Sequence, residues 1–186
     1  GKRQRQAGKQ GQMKLVVDIG NTNIAVGIYN DGEWRNHLRL RTVADKTADE
    51  YRVLFSSIFA ESDINPEEFE QIVISSVVPQ LTGSFSEMIR RLSGKEPLVV
   101  GPGIKTGLRI RTDNPSEVGG DLVANAVAAR SRAGRGKEAK NAIAVDFGTA
   151  LTFTAVSAAG DMPGVVIAPG INAAADSLAA HTAQLP

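Results

Sequence analysis

Cysteine is absent from this 186-residue chain. That removes disulfides, thiolate nucleophiles and Cys-ligated metal, and it favours a reducing, cytoplasmic compartment. Histidine occurs only at His37 and His181; the two stand too far apart in sequence and context to suggest a triad or a zinc site, and both read as solvated surface. Nowhere do some 18 apolar residues run together, so no membrane span is expected. A basic face is missing as well. The formal charge of +1 comes from the first twelve residues, GKRQRQAGKQGQ, which hold four Lys/Arg and no acid; the rest carries 17 basic against 20 acidic residues. A body of charge −3 leaves no electrostatic footprint for nucleic acid. No apolar segment follows the basic stretch as it would in a secretory signal. Residues 1–12 therefore read as a disordered extension or an expression remnant, outside the fold.

What is present is enough apolar residue, 42%, to bury a core, and one internal repeat. LVVDIGNTNIAVGIYNDGEW (15–34) aligns without a gap on IAVDFGTALTFTAVSAAGDM (143–162), at a constant offset of 128 residues. Asp18 falls on Asp146, Gly20 on Gly148 and Gly32 on Gly160. Each copy reads as a strand ending in Asp-apolar-Gly, a short polar loop, a returning strand and a turn with Gly. Two related domains are the simplest source, each offering one Asp-x-Gly loop. A Gly straight after a strand lets backbone N–H groups approach an anion, and nearby Thr and Asn add donors. The carboxylates fit such a place if each holds a cation, because hard cations take oxygen ligands and offset phosphate charge. The expectation is an ATP-type nucleotide with metal, bound between two domains. The plainer alternative, that Asp18 and Asp146 simply cap loops in polar turns, stays open.

Between the copies the chain reads as the remainder of an α/β domain. Thr47 to Glu50 has the spacing of a capping box and opens a helix with Tyr51, Leu54, Phe55, Ile58 and Phe59 at helical spacing. QIVISSVVP (71–79) is a buried strand running into a loop, SFSEMIRRLSG (84–94) a helix ended by Gly94, and PLVVG (97–101) another strand. Residues 117–132 form an Ala-rich, mostly buried helix, and 131–141 a polar linker. Trp34 reads as packing and Gly101-Pro102-Gly103 as a plain turn.

MKLVVDIGNTNIAVGIY, TADEY, ISSVVP, PLVVGPGIKTGL, DNPSEVGGD, AVDFGTALTF and VIAPGI together resemble the ordered motif set of type III pantothenate kinases, in the actin-like, sugar-kinase-like ATPase superfamily. The resemblance runs from Met13 to Pro186. It implies an α/β fold of two duplicated actin-like (RNase H-like) ATPase domains and phosphorylation of pantothenate by ATP, the first step towards coenzyme A. It also implies a cytoplasmic homodimer that needs a divalent ion such as Mg²⁺ and a monovalent cation, K⁺ or NH₄⁺. Carried over by motif, Asp18, Ile19, Gly20, Asn21, Thr22, Asn23 and Ile24 bind ATP phosphates, with Asp18 near the divalent metal through water. Thr149 contacts ATP and Asp146 holds the monovalent cation. Gly119, Gly120 and Asp121 form the pantothenate loop, with Asp121 as the base. From sequence alone Asp121 is an acid before an Ala-rich helix, where N-capping is the default explanation; the resemblance reverses that ranking. Ala168 to Ile171 is an adenine-side loop by analogy.

Two residues depart from the pattern. Leu122 stands where the family usually has Arg, and Thr112 where it usually has Tyr, both on the pantothenate side; Leu cannot pair with a carboxylate as Arg does. Length departs too. The first domain is expected at 13–136 and the second at 137–186, so the second lacks its twin's later elements and reads as truncated. Three readings follow: the pantothenate kinase, a nucleotide-binding homologue with a regulatory role that does not phosphorylate pantothenate, and a kinase of another small alcohol.

Overall fold

A computed structural model describes residues 12–101, 103–134 and 136–181. The N-terminal extension, except Gln12, lies outside the described residues, as do Pro102 of the Gly-Pro-Gly turn and the last five residues. The structure resolves into two compact units, Gly1–Val99 and Val100–Pro186.

The first unit is a five-stranded sheet with two helices. Its strands are β1 (Lys14–Ile19), β2 (Asn23–Asn30), β3 (Glu33–Arg41), β4 (Gln71–Ser76) and β5 (Leu98–Val99), in the order β3-β2-β1-β4-β5. β1 pairs antiparallel with β2 and parallel with β4. Alternation sets the sidedness: Leu15, Val17 and Ile19 are buried while Asp18 between them is exposed. The strand runs through Asp18 to Ile19, as a strand ending in Asp-apolar-Gly should, because both neighbours continue to pair with it there.

Helix α1 (Ala48–Glu61) begins with the expected capping box, Glu50 N–H donating to Thr47 Oγ1 and Thr47 N–H to Glu50 Oε2. The Thr47 backbone N–H, and then its hydroxyl, donate to the Glu50 carboxylate and hold it below its ordinary range. Tyr51, Phe55 and Phe59 are buried, whereas Leu54 lies at the edge of the stripe and is 36% exposed. Helix α2 (Pro79–Ser93) starts five residues earlier than its sequence suggests, since Pro79 suits the first helical turn, where no N–H is needed. It ends at Gly94 in the left-handed conformation (φ 69°), as expected. Phe85 of α2 meets Tyr51 and Phe55, and Phe59 meets Phe69, giving an aromatic core in which each ring contributes about 1.5–3 kcal/mol by burial. The predicted strand at 97–101 is only two residues long.

The second unit holds β6 (Arg109–Ile110), α3 (Gly120–Arg132), β7 (Ala142–Phe147), β8 (Ala150–Val156), β9 (Asp161–Met162), β10 (Gly164–Pro169) and α4 (Ile171–His181). Three strands form an antiparallel sheet, β10-β8-β7, and β6 pairs with β9. The sequence carried the first domain to residue 136, but α3 packs on β7 and β8, so residues from Val100 onward group with the later strands. Ala126, Val156 and Met162 form a small core with Leu108, Leu122 and Val165 around it. Only Gly120, Val123 and Ala126 of α3 are buried, fewer than an Ala-rich helix led one to expect. The opposite face of the sheet is bare: Ile143, Val145, Phe147 and Val166 are 46–71% exposed.

Candidate functional site

The first loop is a hairpin turn. Gly20 N–H donates to Asn23 O at 3.0 Å, Thr42 Oγ1 donates to Gly20 O at 2.7 Å, and Thr42 N–H donates to Thr22 O at 3.0 Å. Thr42, the residue after β3, thus anchors the turn, while Asn21, Thr22 and Asn23 are exposed at its tip. The turn is polar, hydrogen-bonded at its base and open to solvent at its tip. Ile19 and Ile24 are fully buried and serve as the turn's footing, so their side chains cannot touch a ligand; only their backbone can. Asp18 stands between Ala25 of β2 and Ser75 of β4 in register, on the sheet face away from α1 and α2. That face forms an open groove of about 440 Å³ lined by Val16, Asp18, Gly27, Trp34, His37 and Arg39. Trp34, read from sequence as packing, is half exposed (51%) but lies edge-on to Tyr29 and over Gly27, where a Cβ would come within 2.5 Å of its ring. His37 is exposed beside it, as is His181 on α4.

The second loop is a tighter form of the turn, one residue shorter than the gapless repeat implies: Gly148 N–H donates to Ala150 O at 3.1 Å, two residues on rather than three, and Gly148 and Thr149 are exposed. The turn between β10 and α4 lies directly against it. A Cβ on Gly170 would sit 2.3 Å from Thr149 O and 2.7 Å from Gly148 O, so only glycine permits this approach. The segment Ala168 to Ile171, read from sequence as an adenine-side loop by analogy, thus lies against the second Asp-x-Gly turn.

Asp121 is not an N-cap. Gly119 holds that position with no side-chain hydrogen bond, Gly120 begins α3, and Asp121 follows at the second helical position. Its Oδ1 is buried and has no hydrogen-bond partner, and the same is true of Thr112 Oγ1. Carboxylates are favoured in the first helical turn by the exposed N–H groups. Leu122 is partly buried against the Ala126, Val156 and Met162 core. Thr112 follows β6, which Arg109 and Arg111 tie to Asp161 of β9, with a 2.7 Å bond from Arg109 Nε to Asp161 Oδ1. Those guanidinium groups, Arg109 first, hold the Asp161 carboxyl down at about 2.

Asp146 is exposed and accepts a hydrogen bond from Asn125 Nδ2 of α3 at 3.3 Å. Sequence reading missed Asn125, although its place four residues after Asp121 puts both on one helix face. It also missed two buried hydroxyls without partners, Ser75 beside Asp18 and Thr152 beside Asp146. The alternation of β4 and β8 held the only signal for these. Among the described residues no three His, Cys, Asp or Glu gather as a metal cage. Single carboxylates suit Mg²⁺, which is commonly held by one or two carboxylates together with substrate phosphates.

These features define a mixed α/β protein with an Asp-x-Gly turn in each unit and an acid in the first turn of α3. The type III pantothenate kinase family model matches residues 14–186, and the chain belongs to that family. A type III pantothenate kinase of Moorella thermoacetica is 45% identical over 174 residues, covering 94% of this chain. The chain spans 66% of that relative's length. Among solved structures, the type II variant of the Aquifex aeolicus Ppx/GppA phosphatase aligns with TM-score 0.49 and 16% identity over 93% of this chain and 56% of its own. YeaZ from Pseudomonas aeruginosa aligns with TM-score 0.44 and 10% identity over 85% and 68%. Both are too distant to inform the chemistry. No helix among the described residues is long and apolar enough to cross a membrane.

Proposed function

We propose that the protein phosphorylates pantothenate with ATP, giving 4′-phosphopantothenate, the first step of coenzyme A biosynthesis. The observation that carries this reading is the family match over residues 14–186, joined by 45% identity to a type III pantothenate kinase. In the reaction the acceptor hydroxyl gives its proton to the Asp121 carboxylate while its oxygen bonds to the γ-phosphorus, and ADP leaves. The buried, partnerless Asp121 Oδ1 supports the base assignment, since a substrate hydroxyl would fill its empty hydrogen-bonding place. Thr112 Oγ1 is a second open position for a polar acceptor. The turn from Asp18 to Ile24 binds ATP phosphates through its backbone and the Asn21, Thr22 and Asn23 side chains. Thr149 contacts ATP, Gly119 and Gly120 shape the acceptor loop, and Leu122 borders it. Asp18 would hold Mg²⁺ through water, where the ion would offset phosphate charge, and Asp146 would hold K⁺ or NH₄⁺.

The same reading takes the two units as copies of one actin-like ATPase motif. β7 begins and ends 128 residues after β1, and β10-β8-β7 repeats the order β3-β2-β1. Cytoplasmic location and a homodimer belong to the proposal as family traits. A second reading, a nucleotide-binding homologue that does not phosphorylate pantothenate, draws support from Leu122. A residue packed on the unit's core in place of an Arg removes a bidentate partner for the pantothenate carboxylate.

The two readings separate by calorimetry and by an ATP-consumption assay, run on this chain beside the Moorella enzyme. The kinase reading expects pantothenate binding and pantothenate-dependent release of ADP. ATP binding with no response to pantothenate supports the second reading, and ADP release only with other alcohols points to a different acceptor.

A further inference from the structure

Thr152 lies directly opposite Asp146 on the antiparallel partner strand, so the two side chains share the face of the sheet that α3 covers. Thr152 is 8% exposed, and its hydroxyl has no hydrogen-bond partner. Buried polar groups in folded proteins are nearly always satisfied, so a partnerless buried hydroxyl directly opposite an exposed carboxylate points to something that binds both. From the helix side, Asn125 Nδ2 donates to Asp146 Oδ2. We propose that Asn125 and Thr152 complete the cation site at Asp146, Thr152 as an oxygen ligand and Asn125 as a positioning residue that fixes the carboxylate.

The donor set matches the ion. A carboxylate and a neutral hydroxyl are both hard oxygen donors, and one negative charge balances one monovalent cation without excess. Asn125 presents a donor nitrogen to Asp146, so this contact orients the carboxylate and does not ligate. By engaging Oδ2 it holds the side chain in one rotamer, as hydrogen bonds behind metal ligands commonly do. Asn125 also stands one turn beyond Asp121, so the cation site and the candidate base are carried by the same helix.

This inference rests on the reading of Asp146 as the monovalent cation site, and the test separates the two. Thermal unfolding of the 186-residue chain without nucleotide is measured in KCl against NaCl at matched ionic strength, for wild type, Asp146→Ala, Thr152→Val, Asn125→Leu and Asn125→Ala. Binding to the folded state raises Tm. Wild type is expected to show a KCl-specific rise that Asp146→Ala lacks. Thr152→Val should be at least as stable as wild type in NaCl, since the unsatisfied hydroxyl is gone, yet lose the KCl rise. Both Asn125 variants should lose most of it, and either one suffices if the other does not fold. If Thr152→Val and the Asn125 variants keep the full rise while Asp146→Ala loses it, the proposal is overturned and the cation reading stands. A wild type with no KCl-specific rise overturns the cation reading and this proposal together.

Discussion

Asp121 shows how one residue's role depends on a shift of two positions. As an N-cap its carboxylate would be consumed by backbone N–H groups; at the second helical position one oxygen is instead buried and open. Asp121→Asn keeps the shape and removes the ability to accept a proton. Under the proposed kinase reaction it should lower kcat by about 10²–10⁴-fold, or less if the transition state is loose, while ATP affinity changes little. Steady-state kinetics with calorimetry checks this, and an unchanged kcat would reject Asp121 as base. The motif containing Asp121 is legible in the sequence, as are the Asp-x-Gly loops. Asn125 and Thr152 were not, because their significance lies in what stands opposite them across a helix and a strand.

At the scale of elements, two pairings hold the candidate acceptor segment. β6 is two residues long, too short to persist on backbone hydrogen bonds alone, and the Arg109 and Arg111 contacts to Asp161 reinforce its pairing with β9. The folded Asp161 carboxyl, at about 2, lies below the ordinary value near 3.9 of an unfolded chain. Its stabilising contribution is therefore complete above about pH 4 and is lost as pH falls towards about 2. Arg109→Ala should move the Asp161 titration up towards the ordinary range and reduce the loss of stability between those pH values. Carbon-detected NMR of Asp161 together with acid unfolding measures both; an unmoved titration would show that Arg109 is not the cause. Helix α1 was legible down to its capping box, since a cap is a local contract between residues three apart. The start of α2 was less so, because Pro79 can end an extended run as readily as open a helix.

At the scale of the molecule, the first unit is sealed around its phenylalanines, and the second leaves Ile143, Val145, Phe147 and Val166 uncovered on one sheet face. Contiguous apolar surface of this kind marks a place where something docks or where chains associate. The chain should bind an apolar dye such as ANS and sediment in a concentration-dependent way. Phe147→Ser, 71% exposed and remote from the small core, should reduce both without loss of secondary structure. Dispersed monomers that leave the dye dark would show the face to be protected.

By itself the sequence determined the local and periodic features: the apolar strands that lead into each Asp-x-Gly turn, the 128-residue repeat of that motif, the capping box of α1 and the glycine that ends α2. These arise from neighbours within a few residues, or from a pattern copied whole, so one dimension contains them. Tertiary structure alone decided that α3 packs with the later strands, that Gly170 admits its turn to Thr149, and that Asn125 and Thr152 stand at Asp146. Each of these joins residues more than twenty positions apart, or pairs them across a strand register. No hydrophobic period encodes such a pairing, and only the packing of helix on sheet selects it.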